Sequence, residues 1–296
     1  MVVVLSGGTG TPKLLRGLME VLPPEEITVI VNTAEDIWVS GNLVCPDLDT
    51  VTYLAAGMLD EEKWWGIRGD TFQTHESLTK KGWHETLKIG DLDRGFHIIR
   101  SELLRNGKTL TTATSHICKL LNIKMKILPM TDAQLATWIK TPEGWMHFQE
   151  FWVQQKGEPQ VTEVEIRGLK KASPQVIAAL NQEKKVIIGP SNPITSIGPI
   201  LGLQGIREIL QKKKVIAISP IIGGKPVSGP AGKLMAACGI EVSTRGIANY
   251  YQDFLDVLIA DSQETPQNFP CQVIYTDTIM SDPLKSRKLA RLVTEL

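Results

Sequence analysis

Short apolar runs alternate with longer amphipathic stretches at both ends of the chain, and this alternation predicts layered α/β structure. Val2-Val3-Val4-Leu5 is too short for a helix and rich in β-branched residues, which suits a buried parallel strand. A small-residue turn follows, Ser6-Gly7-Gly8-Thr9-Gly10-Thr11, and Pro12 fits the first helical position, where its missing N–H costs nothing. Leu14, Leu15, Leu18, Met19 and Leu22 then recur on one helical face until Pro23-Pro24 stops the run. Residues 27–31 read as a second strand, with Asn32-Thr33-Ala34-Glu35-Asp36 at its C-terminal end.

The same grammar returns in the last third, with strands predicted over 186–188, 215–218, 257–260 and 273–275 and a closing helix over 282–296. Repeated βα units imply a parallel sheet covered on both faces. Between these regions, 51–122 shows helical patterns, for example 96–104 and 114–121, and no convincing strand. Three strand-like runs (127–130, 136–139 and 148–153) predict a return to the sheet layer. The expected fold is therefore α/β: a Rossmann-like, mostly parallel sheet with helices on both faces and a smaller helical insertion. Its core comprises 1–50 and 123–296, and its insertion 51–122.

Composition narrows the function classes. Lysine plus arginine and aspartate plus glutamate both total 32 in 296 residues, so the basic footprint of a nucleic-acid binder is missing, as is strong attraction to anionic membranes. The four cysteines, at 45, 118, 238 and 271, form no CxxC pair, which argues against a zinc site. An uncharged stretch of 21 residues, 186–206, is broken by Pro190, Pro193 and Pro199 and reads as strand, loop and helix start rather than a membrane span. No signal peptide is recognisable, and a cytoplasmic location is expected.

Four segments carry candidate chemistry. The turn holding Gly8, Thr9, Gly10 and Thr11 is neither a Walker A loop nor a dinucleotide fingerprint, because Lys13 follows Pro12 and stands where a third glycine belongs. It keeps what both motifs share: small residues that let N–H groups approach an anion, and a helix N-terminus behind them. Glu35, Asp36, Asp47 and Asp49 form an acidic set. Asp47 and Asp49 would point the same way on an extended backbone and, beside a diphosphate, would suit magnesium; in a plain loop they would be solvated. The stretch from Lys88 through Asp93 to His97 either lines a pocket or forms a solvated loop before a helix capped by Asp93. Ser191 and Asn192 sit at a strand's C-terminal end, the ligand-binding edge of open α/β sheets, where a serine could equally cap the next helix. The loop 223–232, with Lys225 and with Lys233 beyond it, marks another such edge.

Ordered blocks along nearly the whole chain resemble the 2-phospho-L-lactate transferase family of coenzyme F420 biosynthesis, in its methanogen form. They include Leu5-Ser6-Gly7-Gly8-Thr9-Gly10-Thr11-Pro12-Lys13, Val31-Asn32-Thr33-Ala34-Glu35-Asp36, Cys45-Pro46-Asp47-Leu48-Asp49-Thr50 and Gly189-Pro190-Ser191-Asn192-Pro193-Ile194-Thr195-Ser196. One departure is Leu92, where the family usually has a basic residue between two aspartates.

The resemblance implies a Rossmann-like homodimer acting on small molecules. A guanosine-diphosphate-linked donor bearing lactyl or enolpyruvyl phosphate would react with the deazaflavin Fo, giving a phosphodiester and GMP, with Mg2+ as cofactor. On that reading Gly8, Thr9, Gly10, Thr11 and Lys13 hold the donor's phosphates, and Asp47 and Asp49 bind magnesium. Asp49 also orients the acceptor hydroxyl as the catalytic residue, Lys88 contacts the deazaflavin, Ser191 and Asn192 meet the guanine nucleotide, and Asn32 joins the substrate-binding set. A non-catalytic nucleotide-sugar-binding regulator is the alternative, disfavoured by Asp47, Asp49 and the Lys88 segment. An NAD-dependent oxidoreductase is weakened by the broken fingerprint.

Overall fold

The apolar runs become one seven-stranded parallel sheet. Its strands are β1 (Val2–Ser6), β2 (Ile27–Val31), β3 (Lys126–Pro129), β4 (Lys185–Ile188), β5 (Lys214–Ile218), β6 (Val257–Asp261) and β7 (Gln272–Thr276). Their spatial order is β7-β6-β5-β4-β1-β2-β3, so the direction of winding reverses between β1 and β4. The computed structural model describes residues 1–227 and 229–296; Ser228, within the loop 223–232, lies outside them.

Strand alternation splits the core in two. Val3, Leu5, Ile30, Val186 and Ile188 point to one face, and Val2, Val4, Val29, Val31 and Ile187 to the other. Helix α1 (Gly10–Val21) covers the second face with Leu14, Leu15 and Leu18, beside the C-terminal helix Pro283–Glu295, which adds Leu289, Ala290 and Val293. The C-terminal helix starts at Asp282, whose side chain accepts from the Lys285 N–H. On the first face lie the helix Pro174–Gln182 and a separate antiparallel sheet of Leu135–Thr141, Gly144–His147 and Glu163–Gly168.

Three expectations need correction. The runs after β3 do not all rejoin the central layer, because the 136–139 run pairs antiparallel within the small sheet. The 148–153 run is not a strand: Phe148 and Phe151 are both buried three residues apart, a helical spacing, and Glu150–Gln154 forms a π-helical turn. Asp47 and Asp49 do not lie on extended backbone. They sit in the first turn of α2 (Pro46–Ala55), which Pro46 opens and where carboxylates complement the helix dipole.

Beyond α2 come α3 (Gln73–Lys80), α4 (Asp91–Arg105) and α5 (Leu110–Leu120), with a short hairpin of Ile37–Val39 and Asn42–Val44 packed against α4. The uncharged stretch 186–206 resolves into β4, a π-helical turn Pro193–Ile197 and the short helix Gly198–Leu201. No helix among the described residues is long and apolar enough to cross a membrane.

At the reversal, chain meets chain with no room for a side chain. A Cβ on Gly10 would stand 2.1 Å from the Pro190 carbonyl oxygen, and one on Gly189 would stand 2.1 Å from Thr11 Oγ1. Gly95, on α4, faces open space within 4 Å. Gly10→Ala should therefore cost about 2–3 kcal/mol of unfolding free energy, whereas Gly95→Ala should gain about 0.5–1 kcal/mol. Urea titration of both variants measures the contrast.

Candidate active site

The loops after β1 and β4 are sewn together by side chains as well as by close packing. Thr11 Oγ1 and Ser191 Oγ lie 2.6 Å apart, the Thr11 N–H donates to Ser191 Oγ at 3.2 Å, and the Ser191 hydroxyl donates to the Gly7 carbonyl. Thr11 and Ser191 thus join the two loops. Asn192 caps the following turn, its Oδ1 accepting the Ile194 N–H at 2.9 Å, so the cap there is this asparagine and not a serine.

The glycine turn is already partly engaged. Gly8 adopts φ +57°, a conformation glycine tolerates, and its N–H donates to Asp47 Oδ1 at 2.8 Å. Asn32 Nδ2 donates to Asp47 Oδ2 at 2.9 Å and to the Thr195 carbonyl at 3.1 Å, tying together β2, α2 and the loop after β4. Asn32 is fully buried and holds Asp47 in place.

A cavity of about 710 Å³ opens over this junction. Gly8, Thr9, Gly10, Lys13, Asp47, Asp49, Lys88, Ser191 and Asn192 all line it, so most of the residues singled out by sequence converge on one space. Thr11 and Asn32 stand behind its wall; of the loop 223–232, Val227, Gly229 and Pro230 line it but Lys225 does not, and Lys233, beyond the loop, donates to the Gly157 and Glu158 carbonyls. Glu35 faces the cavity too, together with the apolar side chains of Trp64, Trp65, Trp152, Val153 and Ile279. Leu92, the departure from the family pattern, is exposed on the outside of α4 and makes no part of the lining.

Asp47 and Asp49 diverge, as positions two apart on a helix must. Asp47 reaches the glycine turn, whereas Asp49 turns toward α4. There both of its oxygens accept from Arg100, and Oδ2 also accepts from the Cys45 N–H at 3.2 Å and lies 3.0 Å from His97 Nε2. The same His97 nitrogen lies 3.0 Å from Asp93 Oδ1, which accepts from the Tyr53 hydroxyl at 2.6 Å. Gly90 and not Asp93 occupies the cap position of α4; Asp93 looks inward.

Two carboxylates and two cations make this buried group electrically neutral. Burial alone would raise the Asp49 carboxyl, but Arg100 and then His97 hold it well below the usual range. Burial likewise disfavours the His97 imidazolium, and Asp49 and Asp93 overcome it, raising its pKa to about 9. The carboxyls beside the glycine turn behave oppositely. Burial outweighs the Asn32 and Gly8 hydrogen bonds and raises Asp47 to about 6; burial followed by the Asp47 charge raises Glu35 well above its ordinary value.

This contrast tests the fit of a metal. Among the described residues, Asp49, Asp93 and His97 bring ligand atoms within 4.8 Å of one another. The imidazolium already answers both carboxylates, which leaves that trio a poor home for magnesium. The carboxyls of Asp47 and Glu35, hydrogen-bonded but with no cation beside them among the described residues, line the cavity, and a hard divalent cation arriving with a phosphate would suit them.

A family model described as 2-phospho-L-lactate transferase CofD matches residues 2–280. The chain belongs to the 2-phospho-L-lactate transferase family. Relatives bearing the name 2-phospho-L-lactate transferase include those of Methanosarcina mazei, 55% identical with 99% of each chain covered, and Methanosarcina barkeri, 54% identical over 99% of this chain and 97% of the other. The Methanocaldococcus jannaschii relative is 45% identical over 100% of this chain and 97% of its own. Among solved structures, a UPF0052-family protein from Bacillus halodurans shares the fold, with a TM-score of 0.63 at 16% identity over 99% of this chain and 98% of that one.

Of the residues grouped around Asp49, sequence reasoning missed Arg100 altogether and read Asp93 only as a helix cap, with His97 at the end of the same stretch. Asp93, His97 and Arg100 recur at helical spacing and are all buried on α4, a polar stripe where an apolar one belongs. Because charged His97 is favoured in the folded state, its contribution to stability is complete below about pH 6.5 and is lost as pH rises through about 9. The urea midpoint of the metal-free protein should therefore fall between about pH 7 and pH 10, and His97→Gln should flatten that slope.

Proposed function

We propose that the protein is a 2-phospho-L-lactate transferase of coenzyme F420 biosynthesis. It moves a 2-phospholactyl (or enolpyruvyl phosphate) group from a guanosine-diphosphate-linked donor to the ribityl hydroxyl of the deazaflavin Fo and releases GMP. The observation that carries this reading is the convergence of Gly8, Lys13, Asp47, Asp49, Lys88 and Asn192 on one cavity. The relatives of that name, 45% to 55% identical along nearly the full chain, support it.

The acceptor oxygen forms a bond to the phosphorus bearing the three-carbon acid, the phosphoanhydride bond to GMP breaks, and the hydroxyl proton departs. Such a transfer demands alignment and offset of negative charge more than covalent participation. The turn Gly8, Thr9, Gly10 and Thr11 sets the α1 N-terminus against the donor's phosphates, and Lys13 adds a cation. Asp49, held ionised and fixed in direction by Arg100 and His97, orients the acceptor hydroxyl and accepts a hydrogen bond from it. Lys88, exposed beside Phe72 with its Nζ 4.1 Å from the ring centroid, meets the deazaflavin, and Ser191 and Asn192 border the guanine nucleotide. Asp47 would hold magnesium, whereas Asp49, expected beside it as a second ligand, is committed to Arg100 and His97 and keeps only the hydroxyl-orienting role; when bound, the ion supplies charge neutralisation on the phosphate oxygens. The same reading carries a cytoplasmic homodimer.

Incubation with Fo, the guanosine-linked phospholactate donor and magnesium should release GMP, and omission of any one should abolish it. Asp49→Ala should slow GMP release about a hundredfold or more. An undiminished rate in that variant removes Asp49 from its role, and no GMP from the wild type removes the function.

A further inference from the structure

Trp64 has backbone φ +60°, a left-handed conformation that bulky side chains rarely occupy. A closed loop enforces it: Leu59 bridges Ile67, the Asp60 N–H donates to the Gly66 carbonyl at 3.1 Å, and the Trp64 N–H donates to the Asp60 carbonyl at 2.8 Å. The indole is thereby turned inward onto α1. Lys13 Nζ lies 5.2 Å and Arg16 Cζ 5.0 Å from its ring centroid.

The two cations have different surroundings. Arg16 donates to Glu61 at 2.8 Å and to Ser286 Oγ at 2.9 Å, so its charge is answered. Lys13 has no carboxylate within ion-pair distance among the described residues. It is half-buried, and burial followed by the Arg16 charge lowers its pKa. Lys13 and Trp64 both line the cavity beside Gly8, Thr9 and Gly10. An ammonium on a four-carbon stem has many rotamers; the ring face attracts it to one region.

We propose that Trp64 is a positioning residue whose indole holds the Lys13 ammonium at the rim of the glycine turn, facing a diphosphate bound there. This rests on the reading that the turn receives the donor's phosphates. Of the two cations at the ring, Arg16 is already held by Glu61 and Ser286, so the effect of Trp64 on binding passes through Lys13.

Calorimetric titration of the full-length protein with inorganic pyrophosphate in magnesium buffer tests it. Trp64→Asn suits the left-handed backbone and removes the ring; it should weaken binding about fivefold. Lys13→Met should weaken binding at least as much, and the double variant should bind no more weakly than Lys13→Met alone, since the two losses are one interaction. Trp64→Tyr keeps an aromatic face and should restore affinity to within about twofold of wild type. Should Trp64→Asn not fold, Trp64→Leu takes its place with the same expectations. Wild-type affinity in the ring-less variant, additive losses in the double variant, or no rescue by tyrosine each overturn the proposal while leaving the phosphate reading intact. Failure of the wild type to bind pyrophosphate overturns both.

Discussion

The site depends on one backbone-to-backbone approach, where Gly10 at the start of α1 meets the carbonyl of Pro190 after β4. A parallel sheet that winds outward in both directions leaves a crevice where it reverses, and the width of that crevice is set by what separates the two loops. Here nothing does. The Thr11 and Ser191 hydroxyls then lock the loops in register, so Gly8 and Asn192 come to line the same wall.

A second constraint fixes the opposite wall. The buried group of Asp49, Asp93, His97 and Arg100 ties α2 to α4, and its charges cancel within a few ångströms. Removing any one partner would leave a buried charge unanswered, which costs more than the intact group contributes. The arrangement leaves Asp49 ionised and rigid at the cavity edge while Asp47, one turn-face away, keeps a carboxyl that burial has made reluctant to ionise. Two acids in one helical turn thus differ in proton affinity because only one of them has cations beside it.

Much of this was legible from residue order. Short β-branched runs gave every strand of the central sheet to within a residue or two, because both faces of a parallel sheet must be apolar. The glycine turn and Asn192 were legible from their places at strand ends, whereas Asp47 stood out only as one of an acidic pair, and the helix that turns it away from Asp49 was not foreseen. What stayed hidden depends on distance in space. No local pattern says that Asp47 fills the Gly8 amide, or that Arg100 crosses to Asp49. The 148–153 run misled because alternation and helical spacing agree over so few residues, and the burial of Phe148 and Phe151 decided for the turn.

The centre of the sheet has a consequence for how the chain is made. β1 leaves the ribosome well before one of its neighbours, β4, which begins at Lys185, and α1 packs along a helix that starts only at Pro283. The first strand must therefore wait, its apolar edge open, through most of synthesis. Such long-range pairing slows folding and leaves apolar surface exposed in the incomplete chain, so the sheet's centre closes only once residues far apart in sequence are all present.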